Sequence, residues 1–385
     1  MGLTAIPFLA LCVTIALGAL VGAVFAWPRL AQRGVASVSA RVGILVGLNV
    51  LVLLAAAVGL NDRYLFYSSW GDLTAGTATA QTTTVIHAGA GSPWAPQPVP
   101  RHHPRPASAT VAPAPTAPPV KVGQWQVRQF TVTGARSGVT GEVLVMLPGN
   151  YFDPSAQQRR YPVIEALHGY PGSPRQWVSS MGLPQALQKQ VVAGRVREPI
   201  VVIPSIEIPP GRDTECVNGS SSDPQVETWL AEDVPAWVHS SFRVQTGPTS
   251  WATLGFSEGG WCAAMMTMRH PQQFGAAVVL GGYFRPDFGS WRPFPPGSSQ
   301  LARYNLVALA RQSPPPVAIW VETARGDYLS YPSTTAILQV ARPPLAIEAR
   351  VLRYGGHLMS IWRGYLPGAL TWLGSAVPGF HPEVA

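Results

Sequence analysis

Ser257 stands at the centre of Gly255-Phe256-Ser257-Glu258-Gly259. A serine in a G-x-S-x-G frame can attack an acyl carbon once a base has taken its proton. The frame is informative only in context, and here the apolar run Trp251–Leu254 precedes it while a helical stretch, Gly259–Arg269, follows. That is the strand-to-helix turn that holds a nucleophile clear of its own backbone, and small residues two before and two after the serine let the chain make the turn. The base must be a histidine beyond the serine if the chain order is serine, acid, histidine. Three histidines remain there: His270, His357 and His381. His270 sits in Arg-His-Pro at the end of the elbow helix and reads as a surface residue, and His381 is in the tail. His357, in Tyr354-Gly355-Gly356-His357 just past the last strand, is placed to swing back over Ser257.

The acid that orients the imidazole has two candidates. Glu322 ends the strand Val317–Val321, and Asp327 sits in the turn Ala324-Arg325-Gly326-Asp327 that follows. A turn position reaches beyond the strand end, so Asp327 is favoured and Glu322 is the alternative. The oxyanion of an acyl-transfer intermediate needs two backbone N–H groups aimed at it. One is assigned to Glu258, the residue after the nucleophile. The other falls in the loop Leu167-His168-Gly169-Tyr170-Pro171-Gly172, at Tyr170, with Gly169 as the alternative. His168 precedes the serine, and its ring is read as structural. The chemistry requires no metal and no organic cofactor.

Positioning such residues takes a sheet with helices around it. Gln126–Val132 and Val139–Met146 read as an opening pair of strands. Pro162–Leu167, Ile200–Ile203, Trp251–Leu254, Ala276–Leu280, Val317–Val321 and Ala346–Leu352 are compact apolar runs of the kind buried on both faces. Helical stretches alternate with them, as at Gln225–Ser240, Thr334–Val340 and Leu358–Leu373. The alternation predicts an α/β class, the α/β-hydrolase fold, with a mostly parallel sheet covered on both sides. Chemistry in such sheets gathers at the carboxyl ends of the strands.

The 385-residue chain is 47% apolar and only 12% charged, with mean hydropathy +0.15. This is too apolar for an ordinary soluble enzyme. Leu3–Trp27 and Val42–Leu60 carry no charge, and each is long enough to cross a bilayer. Arg29, Arg33 and Arg41 lie between them with no acid, which makes that loop cytoplasmic and places everything after Leu60 outside. A signal peptide fits poorly, because the first residues lack a basic side chain and a second apolar run follows. Tyr64, Phe66, Tyr67 and Trp70 suit the headgroup level. The net charge of +8 is carried almost wholly by arginine, and no Lys/Arg run interleaved with aromatics points to nucleic acid. Anionic lipid is the better partner. Prolines recur from Ser92 to Pro119, a semi-rigid spacer in which His102 and His103 read as solvated rather than metal-binding. The division is therefore residues 1–60 as a two-helix transmembrane anchor, 61–121 as an extracytoplasmic polar and Pro-rich linker, and 122–385 as the hydrolase domain.

Cys12 lies in the first span. Cys216 and Cys262 are the only pair in the outer domain, and an oxidising compartment favours a disulfide between them, pinning the loop Asp213-Thr-Glu-Cys-Val near the site. The Pro-, Phe- and Trp-rich insertion Tyr283–Gln300 reads either as a lid over an acyl chain or as a static loop packed by its own aromatics.

Taken together, Leu-His-Gly-Tyr-Pro-Gly, Asp-Thr-Glu-Cys-Val, Gly-Phe-Ser-Glu-Gly-Gly-Trp-Cys-Ala-Ala, Arg-His-Pro-Gln-Gln-Phe and Gly-Gly-His resemble the putative-esterase family, which includes esterase D and the actinobacterial mycolyltransferases. The resemblance covers most of Val122–Pro378 and implies Ser257, an acid and His357 as the triad. The mycolyltransferases use glutamate as the acid, which keeps Glu322 in play. They act outside the membrane on lipid-linked esters but are typically secreted, a departure from two retained spans. The expectation is a multi-pass plasma-membrane protein hydrolysing lipid or cell-envelope acyl esters. The alternatives are an acyltransferase that passes the acyl group to a sugar or glycan, and a non-catalytic surface binding module.

Overall fold

The computed structural model describes residues 6–31, 34–64, 82–89, 91–94, 115–289 and 291–383. Arg33, the rings of Tyr64, Phe66, Tyr67 and Trp70, and the pair His102 and His103 fall outside what is described. The apolar N-terminal runs form two helices, α1 (Ile6–Ala26) and α2 (Val35–Tyr64), which lie against one another. Both are long and apolar enough to cross a membrane, and almost none of their surface is covered by protein. Leu17, Val24, Phe25 and Leu53 are all exposed, so these are not core helices of the folded domain.

Short apolar runs with no polar alternation need cover on both faces, and each of those read in the sequence enters one sheet of ten strands. In chain order they are β1 (Thr83–Gly89), β2 (Val120–Val122), β3 (Trp125–Thr133), β4 (Thr140–Leu147), β5 (Val163–Leu167), β6 (Ile200–Pro204), β7 (Trp251–Phe256), β8 (Ala276–Leu280), β9 (Ala318–Ala324) and β10 (Ala346–Leu352). Across the sheet they run β1-β10-β9-β8-β7-β5-β6-β4-β3-β2. Pairing is parallel from β10 through β6 and antiparallel at both margins.

Successive residues of the central strands feed opposite cores. Val163, Val202 and Val279 pack on one face beneath α5 (Glu258–Arg269), α6 (Leu306–Gln312) and α7 (Ser330–Leu338). Ile164, Val201 and Val278 pack on the other beneath α3 (Leu183–Val192) and α8 (Met359–Ala376). The predicted helix Gln225–Ser240 is helical from Val226 to Ser241, with a π-type stretch over Trp229–Asp233 before α4 (Val234–Ser241). Glu165, in the middle of β5, is wholly buried, and desolvation pushes its carboxyl well above the usual range.

Two stretches read as linker belong to the sheet: Val120 and Lys121 open β2, and the other is β1. Thr83–Gly89 pairs antiparallel with Ala346–Leu352 and forms its edge. The burial of β1 is slight, so it carries no inward-facing apolar pattern to betray it.

Candidate active site

The parallel strands deliver their side chains to one end. Ser257 follows β7, Asp327 follows β9 and His357 follows β10. The elbow is sharp: Ser257 has φ 56° and ψ −126°, a positive-φ conformation that a residue with a side chain adopts only under constraint. The constraint is visible. Its N–H donates to the Leu280 carbonyl at 2.9 Å, and its own carbonyl receives the N–H of Gly260 at 2.9 Å and of Trp261 at 3.2 Å. The flanking glycines are required by contact, since a Cβ on Gly255 would lie 1.8 Å from the Gly259 carbonyl oxygen.

Ser257 Oγ lies 2.7 Å from His357 Nε2, and His357 Nδ1 lies 2.9 Å from Asp327 Oδ2. The other oxygen of Asp327 accepts the N–H groups of Leu329 (3.1 Å) and Ser330 (3.0 Å). Burial pushes the Asp327 carboxyl up, but the imidazole of His357 and the Ser330 contacts outweigh it and hold it below the usual carboxylate range. It therefore stays charged beside the ring. Glu322, the alternative acid, is buried at the end of β9 with Oε2 unpartnered and makes no bond to His357. Burial, reinforced by the charge of Asp327, drives its carboxyl well up.

His357 is also held from the side. The Trp362 ring meets it edge-on at 4.7 Å, and Trp362 in turn stacks on Phe256 at 5.5 Å. Sequence reasoning passed over Trp362, although its place one helical turn into α8, shortly after the histidine, was a usable signal.

Gly169 comes so close to Ser257 that a Cβ on it would lie 3.1 Å from the serine Cβ. The loop Leu167–Gly172 thus runs alongside the serine, with Tyr170 at its exposed tip and Glu258 on the other side as the first residue of α5. His168 is wholly buried. Its Nε2 accepts the N–H of Ile206 (3.2 Å), so Nδ1 carries the proton and donates to the Gly169 carbonyl (2.9 Å). Desolvation lowers its pKa to about 4, against the pull of that carbonyl. Its ring is a strut.

The loop after β6 closes the other flank. Glu207 accepts from the N–H groups of Gly172 and Gly211, which ties that flank to the Leu167–Gly172 loop. Cys216 is disulfide-bonded to Cys262 on α5. The Trp261 indole N–H donates to the Glu215 carbonyl at 2.9 Å, and Glu215 and Cys216 both take positive φ. Acids crowd here. Glu258 is buried with both carboxyl oxygens unpartnered, and desolvation, then the charges of Glu215, Asp213 and Glu207, push it well up. Burial lifts Asp213 to about 6. Among the described residues, one trio of possible metal ligands approaches closely enough, Cys216, Glu258 and Cys262, but its two sulfurs are bonded to each other.

The insertion after β8 is packed by its own rings. Phe288 meets Trp291 and Phe294 edge-on, Phe294 stacks on Tyr304, and Tyr283 stacks on Trp261 while donating to Glu215 at 2.6 Å. His270 is half-buried and not a simple surface residue: it and Arg269 each place a nitrogen 2.8 Å from Glu227 Oε1, whose second oxygen receives the Tyr304 hydroxyl at 2.7 Å.

The sequence profile of the family described as Putative esterase matches residues 136–373. An uncharacterized protein of Corynebacterium glutamicum is 30% identical over 145 residues, 37% of this chain and 33% of its own. The diacylglycerol acyltransferase/mycolyltransferase Ag85C of Mycobacterium avium is 34% identical over 74 residues, 19% of this chain and 20% of its own. The chain therefore spans about a third and a fifth of the length of these curated relatives. Among solved structures, a ferulic acid esterase superposes with TM-score 0.56 at 21% identity, covering 66% of this chain and 98% of that one. An S-formylglutathione hydrolase from Agrobacterium tumefaciens gives 0.56 at 13% identity, with 68% and 99% covered. Likeness at that identity establishes the α/β-hydrolase fold.

Proposed function

From its membership of the Putative esterase family, to which this chain belongs, we propose that it is a serine hydrolase cleaving carboxylic esters through an acyl-enzyme. The observation that carries this reading is the unbroken line from Ser257 Oγ through His357 (2.7 Å) to Asp327 (2.9 Å). Ser257 Oγ attacks the ester carbon while His357 Nε2 takes its proton. The proton passes to the departing alcohol oxygen as the carbon–oxygen bond breaks. Water then attacks the acyl-serine, giving its proton to His357, which returns it to Ser257 as the acid is released. Asp327 holds the ring and offsets the imidazolium charge. The oxyanion is assigned to the backbone N–H groups of Glu258 and Tyr170.

In this proposal α1 and α2 are retained spans of a plasma-membrane protein. Arg29 and Arg41 mark the short connection as cytoplasmic, and the hydrolase domain lies outside. The Cys216–Cys262 bond suits such a compartment. The substrate class is then a lipid or cell-envelope acyl ester. A second reading, transfer of the acyl group to a sugar or glycan, is favoured by the likeness to the mycolyltransferase. Both readings use the same residues. A non-catalytic surface module sits poorly with the intact Ser257–His357–Asp327 line.

The test uses wild type and Ser257→Ala, expressed in an oxidising compartment. Each is exposed to a fluorophosphonate and to short- and long-chain p-nitrophenyl esters, with and without a sugar acceptor. Labelling and turnover that vanish only in the variant support the hydrolase, and acylated sugar supports the transferase. Folded wild type that neither labels nor turns over would sink both and leave the binding module.

A further inference from the structure

The register of β1 orients the molecule. This strand joins the sheet antiparallel to β10, with Thr83 level with Leu352 and Gly89 level with Ala346. Because β10 runs parallel with the central strands, its carboxyl end is the end that bears Ser257, Asp327 and His357. The chain coming from α2 therefore reaches the domain at the active-site end and leaves β1 at the opposite end. The arrival is fixed by two contacts: the Arg353 N–H donates to the Thr82 carbonyl at 3.2 Å, and the Thr83 hydroxyl lies 2.6 Å from that of Tyr365.

Length limits the alternatives. Residues 65–82 separate α2 from β1, and at full stretch they cover only about 60 Å. A domain of this size is roughly 45–50 Å across. With the mouth turned away from the bilayer, the segment would have to be drawn nearly straight along the whole flank of the domain. With the mouth turned toward it, no such extension is needed.

The surface agrees with the register. Four Phe, Tyr or Trp rings are exposed among the described residues of the catalytic domain: Phe152, Tyr170, Tyr328 and Tyr354. Three of them stand on loops at the carboxyl ends of β5, β9 and β10, around the mouth. Only Phe152, past the end of β4, lies at the other pole, since β4 runs antiparallel to β6. Arg325 and Arg353 are exposed in the same rim, one following β9 and the other β10, and the Arg353 guanidinium lies 5.2 Å from the Tyr354 ring centroid. Tyrosine beside arginine is the pairing that suits an interface: the ring sits at headgroup depth and the guanidinium meets lipid phosphate.

We infer that the rim formed by Tyr328, Tyr354, Arg325 and Arg353 rests on the anionic lipid surface of the membrane holding α1 and α2, so that Ser257 opens toward the bilayer. The ester then comes from a lipid of the adjoining leaflet. This rests on reading α1 and α2 as spans.

The test uses the full chain with Cys12→Ala and one new cysteine, Tyr328→Cys, Tyr354→Cys or, as the opposite pole, Phe152→Cys. Each carries a thiol-reactive fluorophore and is reconstituted into phosphatidylcholine/phosphatidylglycerol vesicles containing a headgroup-spin-labelled lipid. Fluorophosphonate labelling of Ser257 certifies each variant as folded. The expected result is severalfold stronger quenching at 328 and 354 than at 152. Quenching at 152 equal to or above that at the rim overturns the orientation while leaving the anchor standing. Protein that fails to float with the vesicles after an alkaline wash overturns the span reading itself, and the orientation with it.

Discussion

Asp327 and Glu322 lie five positions apart at the end of β9, yet only Asp327 reaches His357, with Oδ2 2.9 Å from Nδ1. The strand ends at Ala324 and the turn carries the aspartate out over the sheet. Glu322 remains inside the strand, buried, with its carboxyl pushed up.

Asp327→Asn should therefore lower kcat on a p-nitrophenyl ester by on the order of 10³–10⁴, because the amide cannot hold the reactive tautomer. Glu322→Gln, which keeps the shape of a side chain that makes no bond to His357, should stay within about tenfold of wild type. The reverse ranking would reassign the acid.

The Cys216–Cys262 disulfide closes a loop across a sequence separation of 46. Chain-entropy reasoning gives about 4 kcal/mol for such a loop. Urea denaturation of oxidised protein and of the Cys216→Ala/Cys262→Ala variant should differ by roughly 2–4 kcal/mol. Equal midpoints would show that the cross-link adds nothing to the loop.

Asp213 and Glu165 have pKa values raised by burial, Asp213 from 3.8 to about 6 and Glu165 well above 4.5. Below the unfolded values both states hold these protons and the groups cost nothing. As pH rises past about 4, the unfolded chain releases them first. Stability from this source should fall between about pH 4 and pH 6 for Asp213, and as pH rises above the ordinary carboxylate range for Glu165. Melting temperatures across pH 4.5–8 should show a shallower decline in Asp213→Asn and Glu165→Gln than in wild type. Unchanged slopes would contradict the assignment.

β10 would be left as an open edge if the chain were cut back to Val122. Exposed edges pair with other copies. A protein beginning at Val122 should aggregate more readily and melt lower than one beginning at Thr82, as read by light scattering and thermal melting.

Ser257, His357 and the central strands were legible because their signals are local. An apolar run, a G-x-S-x-G turn and a Gly-Gly-His loop each declare themselves within a few residues. Asp327 was favoured over Glu322 by the same local logic, the reach of a turn beyond a strand end. β1 was not legible, because Thr-Thr-Val-Ile-His-Ala-Gly buries little and its partner β10 is far along the chain. The burial of Glu258 and Glu215 was hidden for a related reason. It arises only when the loop around Cys216 folds over α5, and one acid in a sequence looks like another until its neighbours arrive.

Because β1 precedes the proline-rich stretch while β2 follows it, the covalent chain and the folded unit have different boundaries. A protease severing the backbone between these two strands would not shed the catalytic domain. The two fragments would stay clasped through the seven residue pairs of β1 and β10, and in the proposed topology hydrolytic activity would remain with the cells and not pass into the medium. Release would require a cut before Thr83, or conditions that peel the strand away.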